Sequence, residues 1–171
     1  TPRSEALEGV VVTRLSFPLP AARPLAAGRF LVASPWAAAV LVHHLRSVRP
    51  EIVHVIGAGP QAAYLGVLSR RLGARLVFTA QGELGFDSRS VFKHSVSLRS
   101  SLRRLLRTAD EVTACSRFVL DELERFSPIR ATPVVIPNGV APADVDGHLR
   151  QDGRPYVLAG GRLDEQKGFD T

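Results

Sequence analysis

The chain has 171 residues, 45% of them hydrophobic, with 22 basic and 16 acidic side chains, one cysteine and no methionine. That length suffices for one full core, no apolar run approaches the ~18 residues of a membrane span, and a lone cysteine excludes an intrachain disulfide framework. A reducing, cytoplasmic setting is the expectation. The sequence opens at Thr1 without a charged-then-apolar leader, which fits an internal piece of a longer protein.

The net charge of +6 is local. Six basic residues, Arg89, Lys93, Arg99, Arg103, Arg104 and Arg107, fall in one stretch without an acid; elsewhere basic and acidic residues balance at 16 each. In chain order, residues 1–8 read as a polar lead-in and Val10 to Leu15 as a β-branched strand. A Pro/Ala loop runs to about Gly28. Ser34-Pro35 then resembles an N-cap with proline in the first turn, opening a helix that ends before Pro50. Ile52 to Ile56 is a continuous apolar run, the pattern of a parallel strand covered on both faces. Gly57 to Gly59 turns the chain into a helix with Tyr64, Leu65, Leu68 and Leu72 at helical spacing, closed by Gly73.

Arg75 to Thr79 is the next strand and is followed by a glycine-bearing loop, Gln81 to Asp87. A long helix is expected over Arg89 to Thr108, a strand over Glu111 to Ala114, a helix capped by Ser116, and a last strand over Pro133 to Ile136. Strands alternating with helices at this spacing give an α/β fold, a Rossmann-like parallel sheet with flanking helices. Asn138 to Arg154, where Pro, Gly and Asp concentrate, is the expected domain boundary. Cys115 reads as a small buried hydrophobe.

Two stretches carry phosphate-binding chemistry. Gly57-Ala58-Gly59-Pro60-Gln61-Ala62, between a strand and a helix, matches a G-x-G-x-x-A dinucleotide turn, with Glu83 about twenty residues on. Gln81-Gly82 separates that acid from its strand, and the glycines are equally explained by a tight turn. Near the end, the strand Tyr156 to Ala159 runs into Gly160-Gly161-Arg162, with Lys167-Gly168 shortly after. A departing diphosphate needs positive charge where negative charge accumulates; arginine supplies a planar fork and lysine a mobile point charge, while glycines leave room for phosphate. Asp144-Val145-Asp146 spells an acid-x-acid pattern, but no full oxygen-ligand set accompanies it and no metal is expected. His43-His44 likewise lacks supporting ligands.

Pro137-Asn138-Gly139-Val140, followed at hinge distance by Gly160-Gly161-Arg162 and Lys167-Gly168, resembles retaining glycosyltransferases of the family-4 (group 1) type, which have the two-lobed GT-B fold. The resemblance is strong over 133–170 and loose before. It implies an N-terminal acceptor-side lobe over 1–137 without its first strand, a hinge over 138–154 centred on Asn138 and Gly139, and the start of a donor-binding lobe over 155–171. That second lobe would need roughly 150 more residues. It further implies a hexosyltransferase-type transfer from a nucleoside-diphosphate sugar with retention of configuration, inactive in the 171-residue chain alone. Gly160, Gly161, Arg162 and Lys167 would hold the donor, the last two stabilising the leaving diphosphate.

On the acceptor side the resemblance points to His54, Gln81, Gly82 and Glu83. Departures fall here: Ile56 replaces a second histidine, and Gln81 stands where the family has a histidine. Glutamine hydrogen-bonds but does not titrate near neutrality, so substrate positioning is its expected part; His54 also reads as an ordinary strand histidine, and Glu83 as a solvated loop acid. The acceptor class stays open among glycan, lipid-linked and small-molecule acceptors. Two other functions compete, a nicotinamide-dependent oxidoreductase built on Gly57 to Ala62 and a basic non-enzymatic binding module. The basic face itself, with Arg99, Arg103, Arg104 and Arg107, has three readings: a solvated surface, a contact with anionic membrane, or a phosphate-rich partner. Aromatic residues hardly interleave with it, so nucleic acid is not expected.

Overall fold

The computed structural model describes residues 3–18, 24–82, 84–85, 91–140 and 160. Its elements in chain order are β1 (Arg3–Leu7), β2 (Val10–Arg14), α1 (Pro24–Val48), β3 (Ile52–Ile56), α2 (Gln61–Arg71), β4 (Arg75–Ala80), α3 (Val91–His94), α4 (Val96–Thr108), β5 (Glu111–Ala114), α5 (Arg117–Phe126) and β6 (Val134–Val135). The strands β3 to β6 form a parallel sheet in the order β3-β4-β5-β6. The expected mixed α/β, Rossmann-like sheet with flanking helices is present.

Alternation along the strands decides which side is core. Val53 and Val55, Leu76, Phe78 and Ala80, and Val112 and Ala114 all point to one face and are buried. Helices α4 and α5 supply the matching stripes, Leu98, Leu102, Leu105 and Leu106 from one and Val119, Leu120 and Leu123 from the other. Full burial of each leucine contributes about 1.5–3 kcal/mol. Asp110 ties the helix layer to the sheet. Its carboxylate accepts from the Leu76 N–H at 2.9 Å, and its own N–H donates to the Leu76 carbonyl at 2.8 Å.

The opposite face corrects the expectation for Ile52 to Ile56. Ile52 and Ile56 are 58% and 61% exposed, and Val134 and Ile136 are exposed on the same side. Among the described residues no helix packs there. Among the described residues β3 is an edge strand covered on one face, and its apolar run reflects one packed and one open side.

Three further boundaries differ from expectation, each for a local reason. The polar lead-in is a strand: β1 pairs antiparallel with β2 in a separate two-stranded sheet, joined by Glu8 and Gly9 at φ +48° and +81°. Both central residues left-handed make the tight primed turn that suits hairpin twist. Arg14 and Glu5 pair across it. The helix α1 begins at Pro24 and runs through Pro35. Alanine-rich sequence on both sides carries high helix propensity, which outweighs the ~3 kcal/mol an interior proline costs. Finally, the long basic helix is broken at Ser95, whose hydroxyl caps α4 by accepting from the Leu98 N–H at 3.3 Å.

A second, smaller cluster joins α1 to α2 through Ala37, Leu41 and Tyr64, with Phe17 against the Tyr64 ring at 5.2 Å between centroids. The Tyr64 hydroxyl donates to the Pro18 carbonyl at 2.8 Å, and burial holds its pKa above the ordinary value of 10.0. The unfolded chain ionises first, so the stability tied to the neutral phenol is whole below that ordinary value and falls as pH rises through the folded one. Tyr64→Phe should cost about 1 kcal/mol at neutral pH and flatten the alkaline loss of stability, both read from urea midpoints. An unchanged alkaline slope would show that other groups cause it.

Candidate functional site

The C-terminal ends of the parallel strands are where an open α/β sheet leaves room for a ligand. Here the ladder continues one step past the strands: the Gly57 N–H reaches the Thr79 carbonyl (2.9 Å), Cys115 reaches Ala80 (3.1 Å) and Ile136 reaches Ala114 (2.9 Å). The chain is thereby held in register up to the point where each strand turns away. Gly82 is buried with φ +98°, a conformation glycine adopts without strain. On the uncovered face these ends enclose a hollow of about 360 Å³, lined by His54, Thr79, Gln81, Thr113, Asn138 and Gly139 among others.

Two polar groupings organise it. His54 Nε2 lies 2.7 Å from Thr79 Oγ1, which lies 2.6 Å from Thr113 Oγ1, a row of hydroxyls and imidazole across three strands. Gln81 and Asn138 face each other as paired amides. Asn138 Nδ2 donates to Gln81 Oε1 at 2.9 Å, and Gln81 Nε2 donates to Asn138 Oδ1 at 3.3 Å. Residues 57 positions apart are thus joined directly at the rim. With donors and acceptors in both amides, and an apolar wall from Ile56 and Ile136, the hollow suits a ligand rich in hydroxyl groups.

Residues 2–144 match the family model described as Glycosyltransferase Family 4. The chain belongs to glycosyltransferase family 4. Among curated proteins, none matches it.

In this family-4 chain the hollow brings together His54, Gln81, Asn138 and Gly139, and Gly82 shapes the loop directly behind Gln81. Glu83 lies outside the described residues. So do Gly161, Arg162 and Lys167, as well as Asp144 and Asp146; of the expected donor segment only Gly160 is described, as exposed. Cys115 is partly buried against the core rather than sealed in it. His43 is exposed and His44 half-buried, and no group of three His, Cys, Asp or Glu suited to a metal occurs among the described residues.

The glycine turn before α2 does not favour the nicotinamide alternative. Gly57 takes φ +73° to make the turn, and the Gln61 side chain folds back over it. Gln61 Nε2 donates to the Gly57 carbonyl at 3.0 Å, and Gln61 Oε1 fills the space beside the Gly59 Cα. The Gly59 N–H donates to the Gly57 carbonyl (3.2 Å) and the Ala62 N–H to the Gly59 carbonyl (3.1 Å). These are donors a pyrophosphate would need.

Two features were not foreseen. Thr79 and Thr113 share the His54 face, a fact readable from strand alternation once Leu76, Phe78, Val112 and Ala114 are assigned to the core. Glu122 of α5 had no such signal, since it looks like an exposed helix acid. Its carboxylate packs against Gly85, where a Cβ would lie 2.6 Å from Oε1, and its Oε2 is buried without a hydrogen-bond partner among the described residues. A side chain at position 85 would have to displace the Glu122 carboxylate.

Proposed function

We propose that this protein transfers a sugar, of hexose type, from a nucleoside-diphosphate donor to an acceptor with retention of anomeric configuration. The described sheet serves as the acceptor-side wall of the cleft, residues 138–154 as the hinge, and 155–171 as the start of the donor lobe. The observation that carries this reading is the meeting of His54, Gln81 and Asn138 at one hollow at the strand ends in a family-4 chain. The hinge residue is hydrogen-bonded to the acceptor-side glutamine, so the amide pair sets where the second lobe leaves the first. Arg162 and Lys167 take up the charge developing on the departing diphosphate, and the reading calls for no metal. His54 and Gln81 orient acceptor hydroxyls by hydrogen bonds. The acceptor is a glycan, a lipid-linked sugar or a small hydroxylated molecule in a cytoplasmic setting, with the arginines of α4 turned toward an anionic membrane surface. The open edge of β3 and the uncovered face are what a sheet extended by a further strand and its helix would present.

Gln81→Ala and Asn138→Ala should each lower kcat/KM about tenfold or more, because each misplaces the other amide. The double variant should lose less than the product of the two, as expected for partners in contact. Strictly multiplicative losses would show that the pair does not act as a unit, and unchanged kinetics in both would remove the hollow from the reaction.

A further inference from the structure

The strand register explains how His54, Thr79 and Thr113 come to form a row. Thr79 stands opposite Thr113 across the β4–β5 ladder, while His54 stands opposite Val77, two residues short of Thr79. The imidazole therefore reaches along the strand direction to bring Nε2 within 2.7 Å of Thr79 Oγ1. On its other side Thr113 faces Val134, an aliphatic residue that offers no side-chain acceptor. Among the described residues Thr79 Oγ1, at 2.6 Å, is the sole side-chain partner of the Thr113 hydroxyl.

Proton counting leaves two directions for this row. Thr79 Oγ1 carries one proton and lies between two partners, so it donates to one and accepts from the other. If Thr79 donates to Thr113, His54 donates from Nε2 and the Thr113 proton is left over. If Thr113 donates to Thr79, Thr79 donates to Nε2 and the ring proton sits on Nδ1. Each direction leaves one donor unmade, at opposite ends of the row. Thr113 is half-buried on an inner strand, whereas His54 is exposed on the edge strand, where water or a ligand takes the proton. A donor left unmade costs more the deeper it is buried, which favours the second direction.

We propose that Thr113, acting through Thr79, holds His54 as its Nδ1–H tautomer, so that the histidine meets the acceptor as a fixed hydrogen-bond donor and not as a base. The bond made by one ring nitrogen decides the state of the other. With Nε2 spent on Thr79, Nδ1 is the nitrogen left for a ligand, and it has no partner among the described residues. Once protonated it has no lone pair with which to take a proton from an acceptor hydroxyl; it can only donate to the hydroxyl oxygen. Thr113 is thus a positioning residue. The use made of this donor rests on the sugar-transfer reading, whereas the tautomer does not.

The test is a proton–nitrogen correlation spectrum of the intact protein carrying isotopically labelled histidine, with His54→Gln to assign the signal. It is recorded well above the ordinary histidine pKa of about 6.5, so that the ring is neutral. His54 should show the Nδ1–H pattern, although an unconstrained histidine favours Nε2–H. Thr113→Val keeps the side-chain shape without the hydroxyl and should shift His54 toward Nε2–H; Thr113→Ser should restore the wild-type pattern. In steady-state kinetics Thr113→Val should raise the acceptor KM about fivefold, the scale of one hydrogen bond, with the donor KM unchanged and recovery in Thr113→Ser. An Nε2–H pattern in wild type, an Nδ1–H pattern that persists in Thr113→Val, or an unchanged acceptor KM in that variant would overturn the proposal. The spectrum needs no turnover. A protein that shows the expected tautomers but transfers no sugar would sink the sugar-transfer reading and leave the positioning by Thr113 standing.

Discussion

Replacing Arg162 or Lys167 by alanine is expected to lower kcat/KM of the intact enzyme about 10²-fold or more, the scale on which one transition-state charge stabiliser acts. In the proposed reaction charge would build on the diphosphate as the glycosidic bond to the nucleotide breaks, and these cations would act more strongly in the transition state than in the ground state. The loss should therefore appear chiefly in kcat once donor is saturating. Lys167→Arg should be impaired as well, because a planar guanidinium does not take the place of a compact ammonium. The measurement is steady-state kinetics with donor varied. Near-normal values in both alanine variants would remove these residues from the reaction.

The largest stability effect is expected at Phe78. It sits in β4, between β3 and β5, with its side chain fully buried against the helix layer. Phe78→Ala removes a ring from the most enclosed part of the core and should cost about 3–5 kcal/mol. That is a large share of the 5–15 kcal/mol by which domains are stable. A denaturant titration should show the midpoint falling with little change in slope. A loss below ~1 kcal/mol would mean that the core is not centred on this strand.

Sequence and structure agree where one physical signal dominates. The leucine stripes of α4 and the apolar periodicity of α5 are strong, and each helix has a serine at its start that accepts from an N–H in the first turn. Composition misled where two opposed tendencies met. Proline at 35 argues for a helix start, yet the alanine-rich run from Pro24 carries the helix through it. The β1–β2 hairpin hid because its turn is Glu-Gly, a weaker signal than Asn-Gly, and because its first strand is polar. Ile52 to Ile56 reads as buried on both sides, but only packing partners decide that, and β3 has them on one side.

In the candidate site, the resemblance pointed to His54 and Gln81, and both line the hollow. The Thr79–Thr113 bridge and the Gln81–Asn138 amide pair were not, since both join segments distant in sequence and depend on parallel register. The basic helix shows the same limit. Its charges are evident in the sequence, but that Arg99 and Arg103 lie over the Phe126 ring depends on which neighbours flank α4.

The central claim is the sugar-transfer chemistry, and proton NMR of the intact protein incubated with a panel of α-linked nucleoside-diphosphate sugars tests it most directly. Release of nucleoside diphosphate from at least one donor is expected, with the first-formed sugar product carrying the donor's anomeric configuration and the signal lost in Arg162→Ala. No release from any donor, together with binding of reduced nicotinamide dinucleotide that Gly59→Val abolishes, would contradict the account.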